Sequence, residues 1–326
     1  MHNLVQTGYS GRPRATPSPN TMPHHHACAI DQEVVHWLRR CLIGITLGAW
    51  CTLAQSQPTA LTQTPDVLRS QLAAMDAQAQ RRWLADAYAA QQLETASDGQ
   101  LNAMLQAVDW SVLLSAPQQW LQRNPDYEFL MLRRERLPTA ETLPSVPERM
   151  WVRYRHQPRA LYVQWQKGGP HSGQEVLYDA SIDPKSMRAH LGGLLSRLSV
   201  TIGIDGMLPR SQSRHTVRDI GFQYILDQVG IDLEKLRARA LPDQATVGVV
   251  QDGAKRYIEI RLRTPGAPDF YAQSTRIRLD LAQPLLRLVE CQDSEGHVFE
   301  HIVFDKVQAL TPAPDAFDPR NPQYHF

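Results

Sequence analysis

From Asp126 to Val229 the chain is dominated by short stretches in which apolar and polar residues alternate. In Ala160–Gln166, Leu161, Val163 and Trp165 are apolar, while Tyr162, Gln164 and Gln166 fall on the other side. Leu198, Val200, Ile202 and Ile204 repeat the pattern against Ser199, Thr201 and Gly203. A period of two belongs to strands with one dry face and one wet face. A dry face must be covered, and what covers it bears directly on what the chain does.

Strands are expected at Tyr127–Glu135, Arg149–Arg155, Ala160–Gln166, Gln174–Ala180 and Leu198–Ile204, joined by turns rich in Pro, Gly and Asp. A second set runs through Thr246–Gln251, Tyr257–Arg263, Tyr271–Leu281, Leu285–Cys291 and Val298–Val307, with 292–296 as a hairpin loop. These are about ten strands, mostly linked by loops too short for crossovers, so the sheet is antiparallel. A sheet of that size curls instead of lying flat. Two helical blocks are available to cover its dry side. Residues 66–122 carry Leu68, Leu72, Met75, Trp83, Leu84 and Tyr88 at helical spacing, with a break at 95–98 where Ser97 or Asp98 caps the next helix. Between the two strand sets, Thr216 and Asp219 fit a capping box. The helix they open is expected to bury Ile220, Tyr224, Ile225 and Val229 and to end at Gly230, with a further helix over 232–240.

Residues 1–60 fall outside this pattern. Residues 1–27 lack periodicity and read as disorder. His36–Arg40 is a basic segment, and Cys41–Leu53 is an apolar run followed by Ala54 and Gln55. That order is the layout of a cleaved secretory signal, and the run is short for a membrane span. The expected location is therefore the periplasm, with membrane anchoring if the segment stays uncleaved. The long lead fits a start at Met22 or later. Trp50, where lipidation of Cys51 would need a small residue, argues against a lipid anchor. Cleavage leaves Cys291 as the single cysteine of four, so no intramolecular disulfide is expected and Cys291 reads as a buried small hydrophobe. Lys and Arg total 34 against 33 Asp and Glu; that balance argues against a nucleic-acid partner.

Motifs for chemistry are scarce. The glycine pairs at 168–169 and 192–193 lack phosphate-loop spacing, and no Gly-x-Ser-x-Gly elbow is present. His24–His26 lies in the segment expected to be removed. His297 and His301 share a strand face but stand about 13 Å apart, too far for one ion. His156, His171, His190 and His215 have no carboxylate at a recognisable spacing. Arg214 and His215 precede a helix and could meet an anion there, although a solvated turn is the plainer reading. Glu135 and Glu175 are the one pair of carboxylates worth weighing for acid–base hydrolysis of an envelope polymer; salt bridges to Arg133, Arg134, Arg153 or Arg155 explain them equally well. No catalytic residue, metal or cofactor is expected.

Tyr127-Glu128-Phe129, Arg133-Arg134-Glu135-Arg136, Leu161-Tyr162-Val163-Gln164-Trp165 and Gly173-Gln174-Glu175-Val176-Leu177-Tyr178 together resemble a bacterial exported family known as domain of unknown function 1571. Ile204-Asp205-Gly206, Ser213-Arg214-His215-Thr216-Val217, Gly221-Phe222 and Phe317-Asp318-Pro319 with Asn321-Pro322 fit the same family. Residues 179–190 depart from its pattern at a glycine-containing turn and a strand. The resemblance implies an α+β fold like the lipoprotein carriers LolA and LolB. In that fold a strongly curved antiparallel sheet, an unclosed barrel, carries helices over its concave face. The chain then divides into a lead and signal (1–54), a linker (55–64), a helical segment packing on the sheet (65–122) and the LolA-like domain (123–326). The implied function is non-enzymatic binding or carriage of a lipid or other hydrophobic ligand in a half-barrel cavity. Phe129, Met131, Leu161, Val163, Trp165, Val176, Tyr178 and Phe222 are the residues expected to line it. The alternative is an envelope structural or protein-interaction module whose interior is filled by its own side chains. The partners are accordingly a lipid or acyl chain, or an envelope protein, and the chain is expected to be a monomer.

Overall fold

The computed structural model describes residues 61–192, 198–242, 244–265, 267 and 269–326. The lead and signal therefore lie outside the described residues. Six helices come first: α1 Pro65–Ala73, α2 Ala77–Ala89, α3 Gln92–Thr95, α4 Asp98–Ala107, α5 Trp110–Leu113 and α6 Ser115–Arg123. They are shorter and more numerous than the one break at 95–98 suggests. Asp76 caps α2, and Ser97 with Gln100 forms a full capping box on α4. Among the described residues no helix is long and apolar enough to cross a membrane.

Eleven strands follow in two runs. The first holds β1 Asp126–Glu135, β2 Glu148–Arg155, β3 Ala160–Trp165, β4 Glu175–Asp179, β5 Ser186–His190 and β6 Ser199–Gly203. The second holds β7 Gln244–Asp252, β8 Lys255–Arg263, β9 Ser274–Asp280, β10 Leu286–Gln292 and β11 Val298–Ala309. Between the runs lie α7 Met207–Gln212, a single 3-10 turn at Val217–Asp219, and α8 Phe222–Ala238. The sheet order is β6-β5-β4-β3-β2-β1-β11-β10-β9-β8-β7, antiparallel throughout. The first and last strands thus meet at its centre, while β6 and β7 are open edges. The expected fold class, an antiparallel sheet left unclosed and dressed with helices, is the one observed.

Three details differ from the sequence reading. The eleventh strand is β5, in the stretch that departs from the family pattern. The capping box at Thr216 forms, but it opens only the 3-10 turn. Helix α8 then runs through Gly230 without interruption, burying Phe222, Ile225, Leu226, Val229 and Leu236 on one side. A glycine costs a helix about 1 kcal/mol, less than that packing supplies.

Residues facing each other across strands share a face, which sorts the side chains. On the inner face Tyr127, Phe129, Met131, Met150, Val152, Tyr154, Leu161 and Val163 meet α8 and α6; on the other half Ile258, Ile260, Ile277, Leu279 and Val289 meet the N-terminal helices, all in one continuous core. At its middle, the Phe222 ring lies 5.3 Å from Tyr127, 5.6 Å from Phe129 and 4.6 Å from Phe304. Such ring pairs add about 0.5–1.5 kcal/mol each beyond burial. The backbone N–H of Phe222 donates to the Tyr127 hydroxyl (3.3 Å), a close approach that needs Gly221 at φ 118°. The N-terminal helices are tied on by Tyr88, whose hydroxyl donates to the Asp280 carbonyl (2.9 Å), and by Arg256, which donates to the Glu94 and Ala96 carbonyls.

The outer face carries a charge ladder over β8–β11, where Glu259 pairs with Arg261 and Arg278, and Glu290 with Arg276 and His301. Over β3 and β4 it is dry instead. The C-terminal tail folds back so that Ala316, Phe317 and Tyr324 cover Ala160, Tyr162 and Leu177. Tyr324 stacks on Tyr162 at 3.7 Å, and the Arg155 guanidinium sits over Phe317 at 4.3 Å. Tyr162 is therefore covered, not wet. The tail is clasped by buried Glu175, which accepts from the His325 backbone N–H (3.1 Å), the His325 ring and Gln164.

Two outcomes test these contacts. Burial raises the Glu175 pKa, but the His325 and Gln164 hydrogen bonds outweigh it and hold the carboxyl below its ordinary 4.5. A carboxylate depressed in the folded state stabilises fully above that value and progressively less as pH falls through the folded one. Acidification below about pH 4 therefore loosens the tail, and Glu175→Gln does so at neutral pH, with a loss of about 1–3 kcal/mol in urea unfolding and faster proteolysis after residue 310. Gly221→Ala puts a Cβ 2.8 Å from the Tyr127 hydroxyl at a left-handed φ. The backbone strain alone predicts a loss of about 1–3 kcal/mol, readable as a lowered Tm.

Candidate functional site

One end of the inner face is built differently from the rest. β1 alternates Tyr127, Phe129, Met131 and then Arg133 and Glu135 inward, so its last two inward positions are charged. Register places Arg133 opposite Glu148 of β2, and Glu135 opposite Glu300 of β11. Like charges directly opposed across strands are destabilising. Here both carboxylates are buried, their side chains 3% and 5% exposed. What makes the pair tolerable is the segment between α7 and the 3-10 turn, which descends onto it.

Three consecutive residues of that segment engage the pair. The Ser213 hydroxyl donates to Glu135 Oε2 (3.0 Å), and the Arg214 backbone N–H donates to Oε1 (2.8 Å). His215 Nε2 lies 2.7 Å from Glu300 Oε1 and 4.0 Å from Glu135 Oε1. The Tyr271 hydroxyl donates to Glu300 Oε2 (3.0 Å) and lies 2.9 Å from His215 Nε2. Arg133 donates to Glu148 (2.8 Å) and to the Ser213 hydroxyl (2.9 Å), and Trp165 Nε1 donates to Glu148 Oε1 (3.1 Å). Every hydrogen bond named here links side chains or backbone within the protein.

The electrostatics follow from that closure. Burial disfavours an imidazolium at His215, but the Glu300 hydrogen bond and the charges of Glu300 and Glu135 outweigh it, so its pKa is raised. Burial would raise Glu300, yet His215, Tyr271 and Arg133 hold it below the ordinary range. Tyr271 is pushed up by burial and then by the Glu300 carboxylate. Cys291, directly opposite Glu300 on β10, has its thiol pushed well up by burial; a high-pKa buried thiol is a poor nucleophile.

Beside this network lies a cleft of about 70 Å³, lined by Met150, Val163, Trp165, Val176, Met187, Val217 and Ile220, with Arg133, Glu148 and His215 at one end and Pro209 and Gln212 of α7 above. Ligand pockets typically measure about 300–1,000 Å³, so the cleft as it stands is too small for an acyl chain. Of the residues expected to line a cavity, Val163, Trp165 and Val176 do so. Phe129, Met131, Leu161, Tyr178 and Phe222 lie in the packed core instead, because rings from β1, β2, β11 and α8 fill the middle of the sheet. Wider depressions of about 410 and 460 Å³ open on the outer face, beside charged residues that include Lys306, Lys255, Arg287, Arg149 and Lys167.

Other expectations change too. His215 is no solvated turn: its side chain is 9% exposed and held between carboxylates. Those carboxylates come from β1 and β11, both remote from His215 in sequence, so no local spacing announces it. Glu135 and Glu175 face opposite sides of the sheet, since Glu175 pairs through Gln164 and Trp151 with outward Leu130. They cannot flank one substrate, and paired hydrolysis by them is excluded. His301 pairs with Glu290 on the outer face, and His297 sits exposed in the hairpin.

The described residues thus form an open antiparallel sheet covered on its inner face by helices, with a polar clamp beside an apolar cleft. A family model described as a protein of unknown function (DUF1571) matches residues 124–326, and the chain belongs to that family. No curated protein matches it. Among solved structures, an uncharacterized conserved protein from Thermus thermophilus is similar over 63% of this chain and 90% of its own, at 10% identity and a TM-score of 0.36. The Pseudomonas aeruginosa MucA/MucB complex is similar over 64% of this chain and 59% of the matched one, at 11% identity and a TM-score of 0.36. A LolA superfamily protein from Nitrosomonas europaea is similar over 65% of this chain and 98% of its own, at 9% identity and a TM-score of 0.29.

His215→Ala leaves two buried carboxylates face to face. Its expected cost is about 3–5 kcal/mol in urea unfolding. Tyr271→Phe, which removes one hydrogen bond to a charged group, is expected to cost about 1.5–3 kcal/mol.

Proposed function

We propose that this chain is an exported, non-enzymatic binding protein that takes an apolar guest, a lipid acyl chain, in the cleft beneath α7. The observation that carries this reading is a continuous apolar strip on the inner face. It begins at the cleft walls and runs outward from Val176 through Ala189 to Val200 and from Met187 to Ile202 of β6; Val200 and, just before β6, Leu198 stand exposed. Met207 and Leu208 of α7 are exposed beside it, and α7 buries no residue of its own. Its polar ties are exposed ones, such as Arg210 to the Asp205 carbonyl (3.0 Å), and exposed ties are worth little. Displacing α7 is therefore inexpensive, and it widens the cleft toward the open edge. Each methylene then buried contributes about 0.8 kcal/mol, and Met150 and Met187 can repack around a guest. A non-enzymatic role fits the polar groups beside the cleft, whose hydrogen bonds are spent on one another.

A second reading, a filled envelope module that meets a protein partner, is favoured by the packed aromatic centre. The two part on one measurement. Native mass spectrometry of the chain purified from the periplasm is expected to show a lipid-mass adduct, and a fluorescent fatty acid is expected to bind. Met187→Trp fills the cleft and is expected to weaken that binding about tenfold or more, a difference of about 1.4 kcal/mol. A ligand-free mass with no fatty-acid uptake discards the lipid reading and leaves the filled module. Export is tested separately: the chain is expected in the osmotic-shock fraction, shortened by about 54 residues.

A further inference from the structure

We propose that Glu135, His215 and Glu300 form a binding site for a divalent transition-metal cation of the zinc class. Each offers one donor atom, and the three atoms lie within 4.8 Å of one another. Zinc donors at about 2.0–2.2 Å in a tetrahedron stand about 3.3–3.5 Å apart. The separations from His215 Nε2, 2.7 Å to Glu300 and 4.0 Å to Glu135, bracket that spacing. The two carboxylate donors lie within 4.8 Å of each other, so side-chain shifts of about an ångström bring the three onto one ion.

Charge balance points the same way. The connected network holds the carboxylates of Glu135, Glu148 and Glu300 against the guanidinium of Arg133 and the imidazole of His215. Three carboxylates, those of Glu135 and Glu300 buried, thus face one guanidinium and one imidazole, with Tyr271, Tyr224 and Cys291 packed around Glu300 and His171 3.8 Å from Glu148. Buried charge without compensation is costly, and a dication among these groups offsets the acidic surplus.

The surroundings suit a metal ligand set. The Ser213 hydroxyl and Arg214 N–H orient Glu135, and the Tyr271 hydroxyl orients Glu300, as the outer partners of ligating carboxylates do. The fourth position faces Tyr271 or a water from the cleft, which His215 also lines and which supplies a way in. One imidazole with two carboxylates suits zinc and its neighbours, whereas calcium needs six or more oxygens. The ion ties β1, β11 and the segment after α7 into one piece. This site stands whether or not the cleft takes a lipid.

The test uses the untagged full chain, stripped with chelator and carrying H24A/H25A/H26A so that the N-terminal triplet cannot bind metal. Zinc(II) at about a hundredfold excess over Kd is expected to raise the Tm by roughly 5–10 °C, and magnesium(II) is expected to leave it unchanged. Cobalt(II) is expected to give the intense visible absorption of a four- or five-coordinate ion, lost in Glu300→Gln and weakened about tenfold in Tyr271→Phe. Should Glu300→Gln fail to fold, nitrogen NMR of the histidine rings reads the wild-type chain directly: zinc is expected to shift the His215 Nε2 resonance. No Tm shift with zinc and an unchanged His215 resonance would overturn the site and leave a clamp bridged by a proton.

Discussion

The described architecture turns on a repulsion placed at the central seam of the sheet. β1 and β11 are the first and last strands, and their pairing joins two strand runs that otherwise have no ladder between them. At one end of that ladder Glu135 faces Glu300 in a buried position. A seam so built is stable only when positive charge arrives from elsewhere in the chain. Arg133 supplies part of it from the same strand, and His215 adds to it from the connection between the strand runs. Because hydrogen-bonded groups in a low-dielectric interior reinforce one another, the pairing of the two strand runs and the placement of the segment over it support each other.

The inner face is covered unevenly, and that unevenness separates scaffold from site. Its middle is sealed by Phe222 against Tyr127, Phe129 and Phe304, and its β7–β10 side by the N-terminal helices. Among the described residues, the β4–β6 end is left to a helix that buries no residue of its own. A guest compartment spread over the whole half-barrel is therefore ruled out by packing, since evicting stacked rings forfeits their dispersion contacts and their burial together. The compartment that remains is small, apolar on its walls and polar at one end. It sits where the cover is weakest.

Much of the scaffold was legible in the sequence because a period of two survives burial on one face. Leu161, Val163 and Trp165 do face inward as their spacing demands. β5 escaped because Ser186–His190 offers only Met187 and Ala189 as inward residues, too few to stand out. Gly230 misled because local propensity is weak beside a helix face already anchored by five buried side chains. The wet face expected at Tyr162 is dry because the C-terminal tail, remote in sequence, folds over it, and alternation says nothing about distant covers. The charged network was the least legible part. Arg133, Glu135, His215, Tyr271 and Glu300 have no mutual spacing in sequence; only the antiparallel register and the descent of residues 213–215 bring them together.

The same short segment serves both the network and the cleft, and this decides which wall can move. Ser213, Arg214 and His215 are held by Glu135 and Glu300, while Thr216, Val217 and Ile220 immediately after them line the cleft. Breaking a buried ion pair costs about 3–5 kcal/mol, whereas an exposed pair such as Arg210 with Asp205 is worth about 1 kcal/mol or less. On the proposed reading, an acyl segment at about 0.8 kcal/mol per methylene offsets the second cost within about two carbons and the first only after about four to six. The chain before Ser213 is therefore the less costly part to displace, with Gly206 and Ser213 at the two ends of α7 in extended backbone. The clamp holds one wall, and α7 is the wall held more weakly.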